Sequence, residues 1–419
     1  MNFFSGLLLP VQNLVCVLTK VWHNEKLRLF SLALLIAIGG MYSNKLISLL
    51  MPFLTFIVIW NQGGLKNVPP HISSPIVFLF LLLSLAGMSV LWAENPKAAV
   101  KTFFSLSVTF SFAYLFISCL IRATPELISK AYTILKISGY VLMVLIVLQA
   151  FIDTFMVKKV PYMMKPSGSI LGLMAFVWCA FLWINKNKLI SIFTFLFIFP
   201  LIYLTLCKTA LYGFLFSSVV FILSYAMPFW LTRISMVVSY TSLILSPLVY
   251  TYLLPPSFIF ESPCFSWFLN RALFHRVLAW NFYSEKFFEK PFWGWGAESS
   301  RYLPTEPSLA AGYENTYHPH NNSIQAYVEL GIPGGVLYAL FFASLFWLVE
   351  KHVKDRLSVA VCNATIAFGF IEAEITHNVW RNYWLSLVTL MVGLIILFLK
   401  AREAQLHVED GHSKQALAH

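Results

Sequence analysis

HPHNNSIQAYVELGIPGGVLYALFFASLFWLVEKH, residues 318–352, decides the fold of this chain. It opens on two histidines and a pair of asparagines, runs apolar from Ile332 to Val349, and closes on the basic Lys351. An apolar run of about 20 residues crosses a bilayer as a helix, because lipid offers no partner to a backbone amide and a helix satisfies its own. The stretch therefore reads as a polar outer segment that enters a membrane and leaves it at a basic inner face.

Outward from this stretch the same pattern recurs along the chain. Apolar segments lie near 29–43, 45–60, 73–93, 99–121, 131–155, 168–185, 188–206, 209–228 and 234–253, and beyond 332–349 near 357–374 and 380–399. The composition agrees, with 59% hydrophobic and only 11% charged residues and a mean hydropathy of +0.74. A soluble domain carries about 25% charge. The expectation is an all-α, polytopic membrane helical bundle of about twelve transmembrane helices, with a long, partly helical periplasmic loop. Phe3 to Leu18 is a further apolar stretch that either lies in the interface or adds a span, and it does not look like a cleaved signal peptide.

Lys and Arg are retained on the cytoplasmic side of short connections. With the N-terminus inside, Lys66, Arg122, Lys130, Lys186, Lys188, Arg233, Lys351 and Lys354 fall on one side, and the opposite side is poorer in basic residues. That count turns the long loop, 254–323, outward. The expected organisation is an N-terminal membrane bundle over 1–253, the loop over 254–325, C-terminal spans over 326–400 and a polar cytoplasmic tail over 401–419. The formal charge of +11 belongs to the cytoplasmic collar and suits anionic headgroups, so membrane lipids are expected partners and nucleic acid is not. Six cysteines at no metal-like spacing and the lack of an Asp-x-Asp pair lead to the expectation of no metal and no cofactor.

The loop carries the chemistry. Residues 266–290 read as an amphipathic helix stopped by Pro291, with Arg276, Trp280 and Tyr283 on one face and Arg271 with His275 on a neighbouring one. Phe292 to Gly296 then form an aromatic turn, whose Trp293 and Trp295 anchor the fold or stack on sugar. At the far end Asn322 can cap a helix with Gln325 three residues on, and Gly331 and Pro333 stop it. His320 would then sit beside a helix N-terminus, where unpaired N–H groups favour a phosphate. Such a wet, cationic pocket above a lipid-embedded bundle suits a lipid-linked, phosphate-bearing substrate. Arg276 could instead pair with Glu285 or Glu289, and Glu298, Glu306 and Glu314 are alternative acids. A separate cluster, Glu372, Glu374, His377 and Arg381, reads as a brace between the last two spans.

Three patches resemble the O-antigen ligase and polymerase superfamily. Arg276 and Trp280 followed by Lys290-Pro-Phe-Trp-Gly-Trp-Gly296 are similar to its Arg, Trp, Pro and glycine-pair pattern, and His318-Pro-His-Asn-Asn322 with Glu329-Leu-Gly-Ile-Pro-Gly334 to its His-Asn and Glu-Leu-Gly signature. The third, Leu204 to Ala210, resembles a Thr-x-Ser-Arg-x-Ala boundary but has Lys208 where arginine is usual, which keeps the charge and loses the bidentate fork. The resemblance, with the ligase branch favoured, implies a membrane glycosyltransferase of the bacterial inner membrane. It would move a glycan from undecaprenyl diphosphate to the lipid A core of lipopolysaccharide on the periplasmic face, without metal. It also implies His320 as base and Arg276 as catalytic cation, with Lys208, Arg271, His318 and Asn321 binding substrate. An O-antigen polymerase uses the same donor and stays open as an alternative, ahead of a protein O-oligosaccharyltransferase, which usually has a further soluble region, and a non-catalytic lipid-linked glycan transporter.

Overall fold

The computed structural model describes residues 32, 34–37, 44–62, 64–68, 72–153, 165–255, 271–303, 318–376 and 378–416. All regular structure among them is helical: α1 (Asn44–Asn61), α2 (Ser74–Met88), α3 (Pro96–Leu120), α4 (Pro125–Ile152), α5 (Lys165–Ile184), α6 (Lys188–Leu204), α7 (Lys208–Ala226), α8 (Pro228–Leu248, continued by a π-turn to Leu253), α9 (Arg271–Glu289), α10 (Asn322–His352), α11 (Arg356–Ile375) and α12 (Asn382–Ala416). Among the described residues nine helices are long and apolar enough to cross a membrane, and two more apolar helices, Leu46–Trp60 and Lys188–Leu204, are shorter. Of the twelve expected spans, 29–43 falls mostly outside the described residues, as does the stretch Phe3 to Leu18. The segment read as a polar tail continues α12 as helix to Ala416.

The helices start where caps and prolines dictate. Asn95 and Thr124 accept from the backbone of Ala98 and Leu127 at 3.0 and 3.3 Å, each followed directly by a proline whose missing N–H costs nothing in a first turn. Asp355 caps α11 through Ser358 and is held by Arg402 of α12 at 3.3 Å.

α5 and α11 form the interior, with 83% and 78% of their apolar windows buried, against 22% for α2 and α8. They touch because Gly172 leaves room for the Phe368 ring, which a Cβ would meet at 2.4 Å. α7 packs along α11, and α10 lies between α2 and α8. Outward-facing Phe193, Leu196, Phe216 and Ile222 on α6 and α7 are exposed large apolar side chains, as lipid-facing positions require. The α2–α3, α6–α7 and α11–α12 junctions, α9 and the start of α10 gather at one end of the bundle. Arg402–Asp355 and Arg233–Glu350 pairs mark the other.

Candidate active site

The two loop motifs meet at a break in α10. Gly331 leaves the helix with φ 67° and ψ −162°, so the Ile332 N–H turns away from its helical partner and donates to Pro291 O at 2.8 Å. The carbonyl of Val328 is thereby released and accepts from Trp295 N–H at 2.8 Å. The carbonyl of Glu329 would bond to the amide of residue 333, which proline lacks, and Gly296 N–H replaces it at 2.8 Å. Gly331 and Pro333 were expected to stop this helix. α10 instead breaks and runs on to His352, because the aromatic turn replaces the bonds that the break costs. The approach is too close for a side chain: a Cβ on Gly294 would lie 2.5 Å from Glu329 C and one on Gly331 2.4 Å from Phe292 O, both at positive φ.

The Glu329 side chain completes this dock. Fully buried, it accepts from the backbone N–H of Glu298 at 2.6 Å and of Ser300 at 3.3 Å, from Gln325 Nε2 at 3.0 Å and from Trp380 Nε1. Glu298, one of the alternative acids, is left-handed at φ 61° and pinned by Thr102 Oγ1 at 3.0 Å and Arg301 at 2.8 Å. It holds loop to bundle. Glu306 and Glu314 lie outside the described residues. Trp295 donates its indole N–H to Lys286 O at 2.9 Å and lies under the Lys290 ammonium at 3.7 Å, which is the anchoring role. Trp293 is exposed.

Beside the dock, polar groups converge on the outer turn of α11. Ser169 of α5 donates to Glu372 Oε2 at 2.8 Å, and Cys207 Sγ lies 3.8 Å from the same hydroxyl at the α6–α7 junction. Arg276 comes down from α9 into the field of Glu372 and Cys207, and burial draws its guanidinium below the usual arginine range while the two acids oppose that shift. The alternative pairing of Arg276 with Glu285 or Glu289 is not seen among the described residues, and Glu289 takes Lys286 at 2.6 Å. Burial, with Glu372 adding to it, pushes the Cys207 thiol up, which makes it a poor nucleophile. Lys208 opens α7 next to it with an exposed side chain. Arg271 is the first residue of α9 and its side chain, like that of His275, lies outside the described residues.

One turn further along α11, His320 Nδ1 lies 3.5 Å from Thr376 O. A carbonyl can only accept, so in this contact Nδ1 is the donor, an arrangement that in the neutral ring leaves the lone pair on Nε2. His318 has the opposite tautomer, since its Nδ1 accepts from His320 N–H at 3.1 Å, and the two rings lie 4.0 Å apart. His320 itself is left-handed at φ 54°. The cap of α10 is Asn321, not Asn322: its Oδ1 accepts from Ile324 N–H at 2.9 Å, and Gln325 binds Glu329 and Val379 instead of closing a capping box. Glu374, expected to neutralise His377 and Arg381, takes Ser323 Oγ at 2.6 Å and Tyr338 Oη at 3.0 Å; His377 lies outside the described residues. Ser169, Ser323 and Tyr338 gave no signal in the sequence, and only their charged partners at membrane depth could have pointed to them. Among the described residues no group of His, Cys, Asp and Glu could hold a metal ion.

A bundle of apolar helices with a polar, cationic corner at one end defines a multi-pass membrane protein. Residues 193–339 match the profile of the O-antigen ligase family, a segment that includes Lys208, Arg276, His320, Asn321 and Glu329. Proteins named as candidate polysaccharide ligases are similar: one from Rickettsia conorii is 26% identical over 258 residues (57% of this chain, 58% of the relative), and one from Rickettsia prowazekii 25% over 243 residues (54% and 56%). A third from Rickettsia typhi is 32% identical over 123 residues (26% and 29%). The chain thus spans a little over half the length of the first two relatives. No solved structure matches it. The resemblance to the O-antigen ligase superfamily, on its ligase side, is borne out by these matches.

Proposed function

We propose that this chain is an O-antigen ligase of the bacterial inner membrane that moves a glycan from undecaprenyl diphosphate to the lipid A core on the periplasmic face. The observation that carries the reading is that the C-terminal end of α11 engages both candidates: Glu372 acts electrostatically on Arg276, and the carbonyl of Thr376, four residues on, lies against His320. In the reaction the acceptor hydroxyl oxygen bonds to the anomeric carbon as the bond from that carbon to the diphosphate breaks. The hydroxyl proton goes to Nε2 of His320, the nitrogen that carries the lone pair, and such assistance contributes roughly 10²- to 10⁴-fold. Negative charge grows on the departing diphosphate, and the partly desolvated Arg276 stabilises it more strongly than a hydrated cation would. Lys208 adds a point charge at the same junction, Arg271 is a further candidate to bind the same head, and His318 and Asn321 orient the base or bind sugar. The isoprenoid tail lies between the helices, in the medium it came from. No metal is needed, because the donor arrives activated and the charge is met by fixed cations.

The deciding experiment is lipopolysaccharide laddering in a ligase-null strain with a compatible donor and acceptor, complemented with the chain or with His320→Ala at matched membrane levels. Ladders from the intact chain alone support ligation with a required histidine. An inserted chain that restores nothing removes the ligase reading, and complementation of a polymerase-null strain is then informative.

A further inference from the structure

The contacts beneath His320 can be tested by counting protons. Asn321 Oδ1 accepts from Ile324 N–H at 2.9 Å, which fixes which end of the amide faces Ser323. Ser323 Oγ lies 2.8 Å from that Oδ1 and 2.6 Å from Glu374 Oε2, and Ser323 and Asn321 are both buried. A hydroxyl has one proton. If Glu374 were a carboxylate and took it, the oxygens of Ser323 and Asn321 would face each other at 2.8 Å with none between them. With a proton on Oε2, Glu374 donates to Ser323, Ser323 donates to Asn321, and Tyr338 Oη donates to Oε1 at 3.0 Å. Every contact then has its proton. The groups that face this carboxyl are Tyr338 of α10, Tyr250 of the π-turn after α8, and the Asn321 amide with the Ser323 N–H at the start of α10. Glu372 precedes it on α11, and no Lys or Arg among the described residues forms an ion pair with it.

The geometry points to Glu374 as a positioning residue that works in its neutral, protonated form, passing a hydrogen bond through Ser323 to the Asn321 cap and so fixing the turn that presents His320. This rests on the proposed transfer reaction for its activity readout alone. Loss of the Glu374 proton redirects the Ser323 hydroxyl, deprives the cap of a donor and lets the left-handed His320 turn relax.

Glutamine is the mimic of the protonated acid, since Nε2 donates to Ser323 while Oε1 accepts from Tyr338. Glu374→Gln is therefore expected to keep transfer within about threefold of the parent, and Glu374→Ala to lose about tenfold or more in kcat at unchanged donor KM, both at matched membrane levels. Infrared difference spectra of the purified protein, parent minus Glu374→Gln at neutral pH, should show a protonated carboxylic carbonyl band. A Gln variant as damaged as Ala, or a difference spectrum with a carboxylate band and no acid band, overturns the proposal. The spectrum reads the protonation state whatever reaction the chain catalyses, so it separates failure of this inference from failure of the ligase reading.

Discussion

The dock around Gly331 and the corner around His320 are within a dozen residues of each other and share α10, but they treat polar groups in opposite ways. At the dock, the carbonyls of Val328 and Glu329 and the carboxyl of Glu329 are consumed by backbone amides and an indole of the same chain. At the corner, an imidazole with its lone pair on Nε2, a partly desolvated guanidinium and the exposed Lys208 stand at the bundle's outer end. The difference teaches that a matching motif mixes scaffold with chemistry. Its glycines and its glutamate build the wall, and its histidine and arginine are the groups that the proposed reaction uses.

Substitutions that break this division should separate stability from activity. The largest effect is expected for Gly331→Val, which puts a side chain into the backbone of Phe292 at a φ that β-branched residues avoid. Little folded protein should accumulate in membranes, as read by size-exclusion fluorescence. His320→Ala should leave accumulation and melting unchanged and cost roughly 10²- to 10⁴-fold in transfer. Arg276→Lys retains the charge but not the planar fork, and a loss of about tenfold, mainly in kcat, is expected from transfer assays with purified donor. Trp380→Phe removes one donor to buried Glu329 and should lower stability by about 1–3 kcal/mol with kcat unchanged, measured by denaturation in detergent. The smallest effect lies at the inner end. Burial pushes the Asp355 carboxyl up, but hydrogen bonds from Arg402 and Ser358 outweigh it and leave the pKa below the ordinary value. Its stabilisation is therefore fully present above the ordinary Asp value and lost as pH falls below that value and through the lowered folded-state pKa, and Asp355→Asn should flatten the acid limb of the melting profile.

The helices were legible because each carries its own signal, a long apolar run bounded by caps and prolines. The α10 cap was misread by one position because Asn321 and Asn322 are equally good caps and Gln325 stands three residues after the wrong one. What decides between them is the left-handed turn at His320, which has no local signature. Gly331 and Pro333 carry a genuine break signal, but whether a helix ends or resumes after a break depends on a distant segment that offers replacement hydrogen bonds. Arg276 and His320 were visible through motif spacing. Ser169, Ser323, Tyr338 and the role of Glu374 were not, because they come from three helices distant in sequence and each is unremarkable alone.

The break in α10 also restricts how a substrate can reach the corner. Swinging the aromatic turn aside would strand two carbonyls and an amide where water is scarce, a cost of several kcal/mol on every turnover. That segment is a fixed jamb, not a door, so in the proposed reaction both lipid-borne partners have to pass around it by sliding in the plane of the bilayer.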